Sequence, residues 1–152
     1  MKLTIFLLIL ISNVYSSSYM FLTQKHNTDI ELEAKIILNI AKASISDKIK
    51  LYIPNISNEE KQIYSSSFTL VNNCNDANFI FVKNEIKSDN SCTSNTNKFF
   101  ITNDYKKLLE DNKYAGAFFW NKSRPNITFI KDRLENQNIN LGTDYEKFVE
   151  DL

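Results

Sequence analysis

The sequence predicts an α/β fold: a single-domain three-layer α/β sandwich with a mixed central sheet and a late β-hairpin. Three observations predict it. The apolar runs Phe79–Val82 and Phe99–Ile101 lack the polar alternation of a half-exposed strand, so they suit a sheet covered on both faces. Capping signals and helical stripes fall between such runs, the alternation that builds layered α/β domains. The chain of 152 residues shows no repeat or second domain, which suits one core.

The elements follow in order. Met1-Lys2 is a short basic start, Leu3 to Ile11 is an apolar run of nine residues, and Ser12 to Ser18 turns small and polar. That order is the pattern of a secretory signal peptide, residues 1–18. The run is about half the ~20 residues a membrane-crossing helix needs. Cleavage after Ser16 or Ser18 starts the mature chain near Ser17 to Tyr19 and leaves one α/β domain, residues 19–152, in the periplasm or secreted, with no membrane insertion after cleavage.

Ser18 to Asn27 is an entry segment without periodicity, and Thr28 with Glu31 offers a capping box. Ile30, Ala34, Ile37 and Ala41 then recur at helical spacing, widened by Ile36 and Ile40, to a stop near Ala43 to Ser46. Lys48 to Ile53 alternates as a strand ended by Pro54. Ser57 with Glu60 is a second capping box, opening a short helix through Tyr64. Phe68–Val71 is a strand, and Phe79–Val82 a central one. After the polar stretch Lys83–Asn97, Phe99–Ile101 is a strand and Thr102-Asn103-Asp104 caps a helix over Tyr105–Glu110. Ala115–Trp120 and Ile127–Ile130 are two strands joined by the turn Asn121-Lys122-Ser123-Arg124-Pro125. Leu134 belongs to a short helix, and Tyr145, Phe148 and Val149 to a terminal one.

The formal charge is zero, and removing Lys2 with the leader leaves one net negative charge. Nothing basic enough for a nucleic-acid partner remains. Asn is so frequent that the glycosylation patterns at Asn55, Asn121 and Asn126 are expected by chance. Cys74 and Cys92 are the two cysteines, which an oxidising compartment permits to pair. The bridge would close a loop of about 18 residues, contributing about 3 kcal/mol in the chain-entropy model. The alternative is a buried free Cys74 with an exposed Cys92.

Catalytic chemistry is sparse. His26 is the sole histidine, in the entry segment, so Ser-His and Cys-His pairs are not expected, and no residues have the spacing of a metal site. Gly116 and Gly142 are the only glycines, too few for a phosphate-cradling loop. Glu59-Glu60 and Glu150-Asp151 look like surface charge, and nothing favours a carboxylate-pair hydrolase. The expectation is a protein without catalytic residues, metal or cofactor. The most distinctive stretch is Trp120 to Asn126, which sets the only tryptophan beside Lys122 and Arg124. Exposed Trp and Arg anchor partners; alternatively Trp120 closes the end of the core and the two cations are solvated at a turn.

The order of elements resembles the YfiR-like periplasmic proteins. The resemblance lies in Ala34 to Lys42, in Cys74 ahead of Phe79–Val82, and in Gly116 to Trp120 followed by Ile127 to Ile130. It covers most of Ile30 to Leu141 and departs from the family in two places. Ala43 to Asp47 lacks the usual Trp-Pro pair, and the chain ends acidic from Glu146 to Leu152 where the family ends hydrophobic. The resemblance implies a regulator that restrains a membrane-bound diguanylate cyclase by binding its sensor domain, with a role for the redox state of the cysteines. The expected function is thus an exported, non-catalytic regulatory protein whose partner is a membrane-bound sensor protein, with Trp120, Lys122 and Arg124 as the partner-binding residues. The alternative is a small solute-binding module resembling one lobe of a periplasmic binding protein, with polar contacts from Thr102, Asn103, Asp104 and Lys122. The oligomeric state is left open.

Overall fold

Residues 26–44 form helix α1, and its buried positions Ile30, Ala34, Ile37, Ile40 and Ala41 make one apolar stripe. The computed structural model describes residues 26–83, 92 and 98–151, so the signal peptide assigned to residues 1–18 lies outside the described residues. The helix is already formed at His26, which places Thr28 and Glu31 inside it rather than at a cap. No proline or glycine precedes them to stop the helix, and a capping pattern does not itself break one.

Strand β1 (Lys50–Tyr52) leads to α2 (Asn58–Ser65), whose start has the expected capping box: Ser57 Oγ accepts from Glu60 N–H, and the Glu60 carboxylate accepts from Ser57 N–H. Strand β2 (Thr69–Leu70) and a 3-10 turn (Cys74–Asp76) precede β3 (Phe79–Val82). Then come β4 (Phe99–Thr102), α3 (Tyr105–Glu110), β5 (Gly116–Asn121), β6 (Arg124–Ile130) and α4 (Lys131–Asn136). A 3-10 turn (Thr143–Phe148) and β7 (Val149–Glu150) complete the described chain. The expected terminal helix is therefore a 3-10 turn. β-Branched Val149 instead pairs in register with Phe129, because a sheet edge offers it backbone bonds that a short helix end does not.

The sheet is mixed, in the order β2-β1-β3-β4-β5-β6-β7, parallel throughout except for the β5–β6 hairpin. The chain steps from β1 to β2 in one direction and from β4 to β5 in the other. Because parallel crossovers share one hand, α2 and α3 must fall on opposite faces. They do. Leu51, Phe79, Phe81, Phe99, Ile101 and Phe118 pack under α1 and α2. Ile80, Phe100 and Ala117 pack with Leu108 of α3 and with Cys74. The period-2 alternation of β3 and β4 thus feeds two apolar layers, with Phe79 and Phe99 side by side at 5.5 Å between ring centroids.

Two details fix the hairpin. Gly116 lies opposite Phe129, and a Cβ there would stand 2.7 Å from Phe129 Cε1, so no side chain fits. The turn is shorter than expected, just Lys122 and Ser123, with φ of 49° and 60°. Two left-handed residues are the geometry that matches strand twist. Arg124 and Pro125 therefore belong to β6 rather than to the turn. Pro125 is tolerated because β7 pairs only with Phe129 and Ile130, which leaves this part of β6 an edge among the described residues. Across the fold, Arg133 Nη1 of α4 donates to the carbonyls of Leu108 (2.5 Å), Asp111 (3.2 Å) and Tyr114 (2.7 Å).

Candidate functional site: a charged cavity at the strand ends

The connections leave β1 and β3 in opposite directions, which makes the gap beyond their carboxyl ends the crevice where such sheets place ligands. Lys83, the residue that follows β3, occupies it. Its Nζ lies 2.5 Å from Glu33 Oε1 of α1 and 2.5 Å from Glu60 Oε1 of α2. Tyr64, one turn beyond Glu60, donates its hydroxyl to Glu33 Oε1 at 2.8 Å. The ammonium also sits 5.9 Å from the ring centroids of Tyr64 and Phe81. The side chains are 14% (Lys83), 7% (Glu33) and 19% (Glu60) exposed, so the cluster is largely withdrawn from water.

Burial and charge compete in each group. Burial alone would depress the Lys83 ammonium, but the carboxylates of Glu33 and Glu60 outweigh it and hold its pKa above the ordinary value. Burial alone would raise Glu60; its bonds from Lys83 and the Ser57 backbone prevail and hold it below. Tyr64 is pushed far up by burial and then by the Glu33 charge. At neutral pH, then, Lys83 is a cation, Glu60 an anion and Tyr64 a neutral donor. None of the three is poised to exchange a proton. What the arrangement supplies is fixed charge and hydrogen bonds.

A cavity of about 480 Å³ opens over this cluster. Glu33, Glu60 and Lys83 line it together with Asp29 and His26 of α1. The other lining residues include Trp120 and Ser123 of the hairpin. His26, expected to be an exposed residue without a role, is exposed and stands at this cavity.

The residues expected from sequence divide. Cys74 and Cys92 are joined by a disulfide with Cα atoms 5.5 Å apart, and Lys98 Nζ donates to the Cys74 carbonyl at 2.9 Å. Trp120 satisfies parts of both of its readings: it is 37% exposed, yet it packs edge-to-face on buried Phe118 at 5.8 Å. Lys122 and Arg124 are exposed beside it. Of the alternative ligand set, Thr102 is buried, with Oγ1 accepting from Asp104 N–H, while Asp104 caps α3 through Lys106 N–H. Those two serve the β4–α3 connection and do not line the cavity.

Sequence reading missed Glu33, Glu60 and Lys83. A signal for Glu33 existed: it stands three residues after Ile30 and four before Ile37, inside the apolar stripe, where a carboxylate needs a partner. Glu60 looked like first-turn surface charge and Lys83 like the start of a polar loop; both are part-buried instead.

Among the described residues, no helix is long and apolar enough to cross a membrane, and no group of three or more His, Cys, Asp or Glu side chains is arranged to hold a metal ion. No family model, no curated protein and no solved structure matches this chain.

Proposed function

We propose that this chain is an exported, non-catalytic regulatory protein of the periplasm that binds the sensor domain of a membrane-bound signalling protein. A diguanylate cyclase is the partner that the YfiR-like resemblance implies. One observation carries the reading: the hairpin that bears Trp120, Lys122 and Arg124 also lines the cavity at the strand ends. A half-exposed tryptophan beside a recess, flanked by an arginine, is the composition of an interface anchor. The tight turn holds Lys122 and Ser123 in left-handed backbone that non-glycine residues rarely adopt, and such strain concentrates at binding sites. The disulfide suits an oxidising compartment.

The test is capture of the tagged whole chain with envelope membranes, followed by mass spectrometry of what is retained. A sensor-domain protein is the expected catch. Arg124→Glu should leave folding within about 0.5 kcal/mol, as exposed substitutions do. It should weaken the partner by about 1–2 kcal/mol or more. Unchanged capture by the folded variant would remove the hairpin from the binding surface. The position of the cavity, beyond the carboxyl ends where the strand order reverses, favours one second reading, a small solute-binding module. Recovery of a transporter permease in place of a sensor would favour that reading.

A further inference from the structure

Among the described residues, the charges around the cavity do not balance. Asp29, Glu33 and Glu60 set three carboxylates there against Lys83. Lys83 is already committed to Glu33 Oε1 and Glu60 Oε1, and Glu60 Oε2 accepts from the Ser57 backbone. Glu33 Oε2 is different. It takes no hydrogen bond from any described residue, although its side chain is 7% exposed. Glu33 lines the cavity. A carboxylate oxygen this deeply placed, with no donor among the described residues, has the character of an acceptor awaiting one.

The hairpin completes the chemistry. Trp120 is an aromatic surface at the same cavity, and tryptophan is the side chain that best attracts a cation to its face. We propose that this cavity binds an organic cation, an ammonium or guanidinium group, held by Glu33 Oε2 and Asp29 and covered by the Trp120 indole. The inference deepens the reading of the cavity as a recognition surface and does not depend on which partner uses it. The group comes either from a lysine or arginine side chain of a protein partner or from a free polyamine.

Trp120 is the only tryptophan of the chain, so its fluorescence reports directly on the cavity. The oxidised whole chain is titrated with N-acetyl-lysine amide, N-acetyl-arginine amide, putrescine and the uncharged N-acetyl-norleucine amide. A saturable change with the cations and none with norleucine is expected. Asp29→Asn removes an exposed carboxylate that makes no hydrogen bond or ion pair among those described, so it leaves the fold intact; it should weaken the cations at least about tenfold, the worth of one charge-assisted hydrogen bond. Putrescine binding more tightly than the capped residues supports the site and assigns a free solute; the reverse order supports it and assigns a partner side chain. No saturable response to any cation overturns the proposal, as does an equal response to norleucine or an unchanged affinity in folded Asp29→Asn. Cation binding without membrane capture leaves this site standing and removes the partner; capture without cation binding does the opposite.

Discussion

The two faces of the sheet are closed by different means. On one, α1 and α2 cover the strands and are tied together by Lys83, reaching Glu33 and Glu60 from the end of β3. On the other, cover includes α3, six residues long, and the 3-10 turn Cys74–Asp76, and the tie is the Cys74–Cys92 disulfide. The first face has helix enough to bury a large apolar layer, and its ionic clasp adds orientation more than net stability, since desolvating charges offsets most of their attraction. Among the described residues the second face has the smaller apolar cluster, and there a covalent link adds to what packing supplies.

Breaking each tie separates these roles. Lys83→Met should have the largest effect, about 3–5 kcal/mol in denaturant titration, because it strands Glu33 in a buried site. Adding Glu33→Gln to it should recover much of that loss, since the uncompensated charge and not the missing bond is the main cost. The clasp should also be pH-dependent from both sides. The Glu60 contribution, from a depressed pKa, is present above its unfolded value near 4.5 and is lost as pH falls through the folded one. The Lys83 contribution, from a raised pKa, is present below its unfolded value near 10.5 and is lost as pH rises through the folded one. Thermal melts across pH 3–12 check both limbs, which Lys83→Met should flatten.

Replacing both cysteines by alanine should cost about 2–4 kcal/mol and loosen the opposite face first, visible as faster amide exchange at Ala77 and Ile80 than at Leu51. Equal loosening of both faces would mean that they do not close independently. Gly116→Ala, where β5 meets Phe129, should lose about 1–3 kcal/mol through overpacking. The smallest effect belongs to the turn. Lys122→Asn with Ser123→Gly should gain roughly 0.5–1 kcal/mol by relieving two left-handed residues. A loss there would show that the tip is not strained.

The same contrast explains what was legible in the sequence. Phe79–Val82 declared a central strand because four apolar residues in a row have no exposed side to alternate with. Ser57 and Glu60 declared a helix start because that signal is local. The disulfide followed from two cysteines and an expected compartment. The clasp depends on residues 50 and 23 positions apart that meet only after α1 and α2 lie on the sheet, so no spacing announces it. Glu33 inside the α1 stripe was the one visible trace. The turn was drawn too long because Lys122-Ser123 lacks the Asn-Gly signature of its type.

Arg133 has a consequence for how the domain breathes. One guanidinium nitrogen of α4 ties down the carbonyls of Leu108, Asp111 and Tyr114, which span the end of α3 and the loop into β5. A six-residue helix has little persistence of its own. Its last turn therefore stays closed only while α4 is docked, although β5 and β6 separate the two helices along the chain. Opening of α4 and fraying of α3 become one cooperative event, a unit assembled from two segments that neighbour each other only in space.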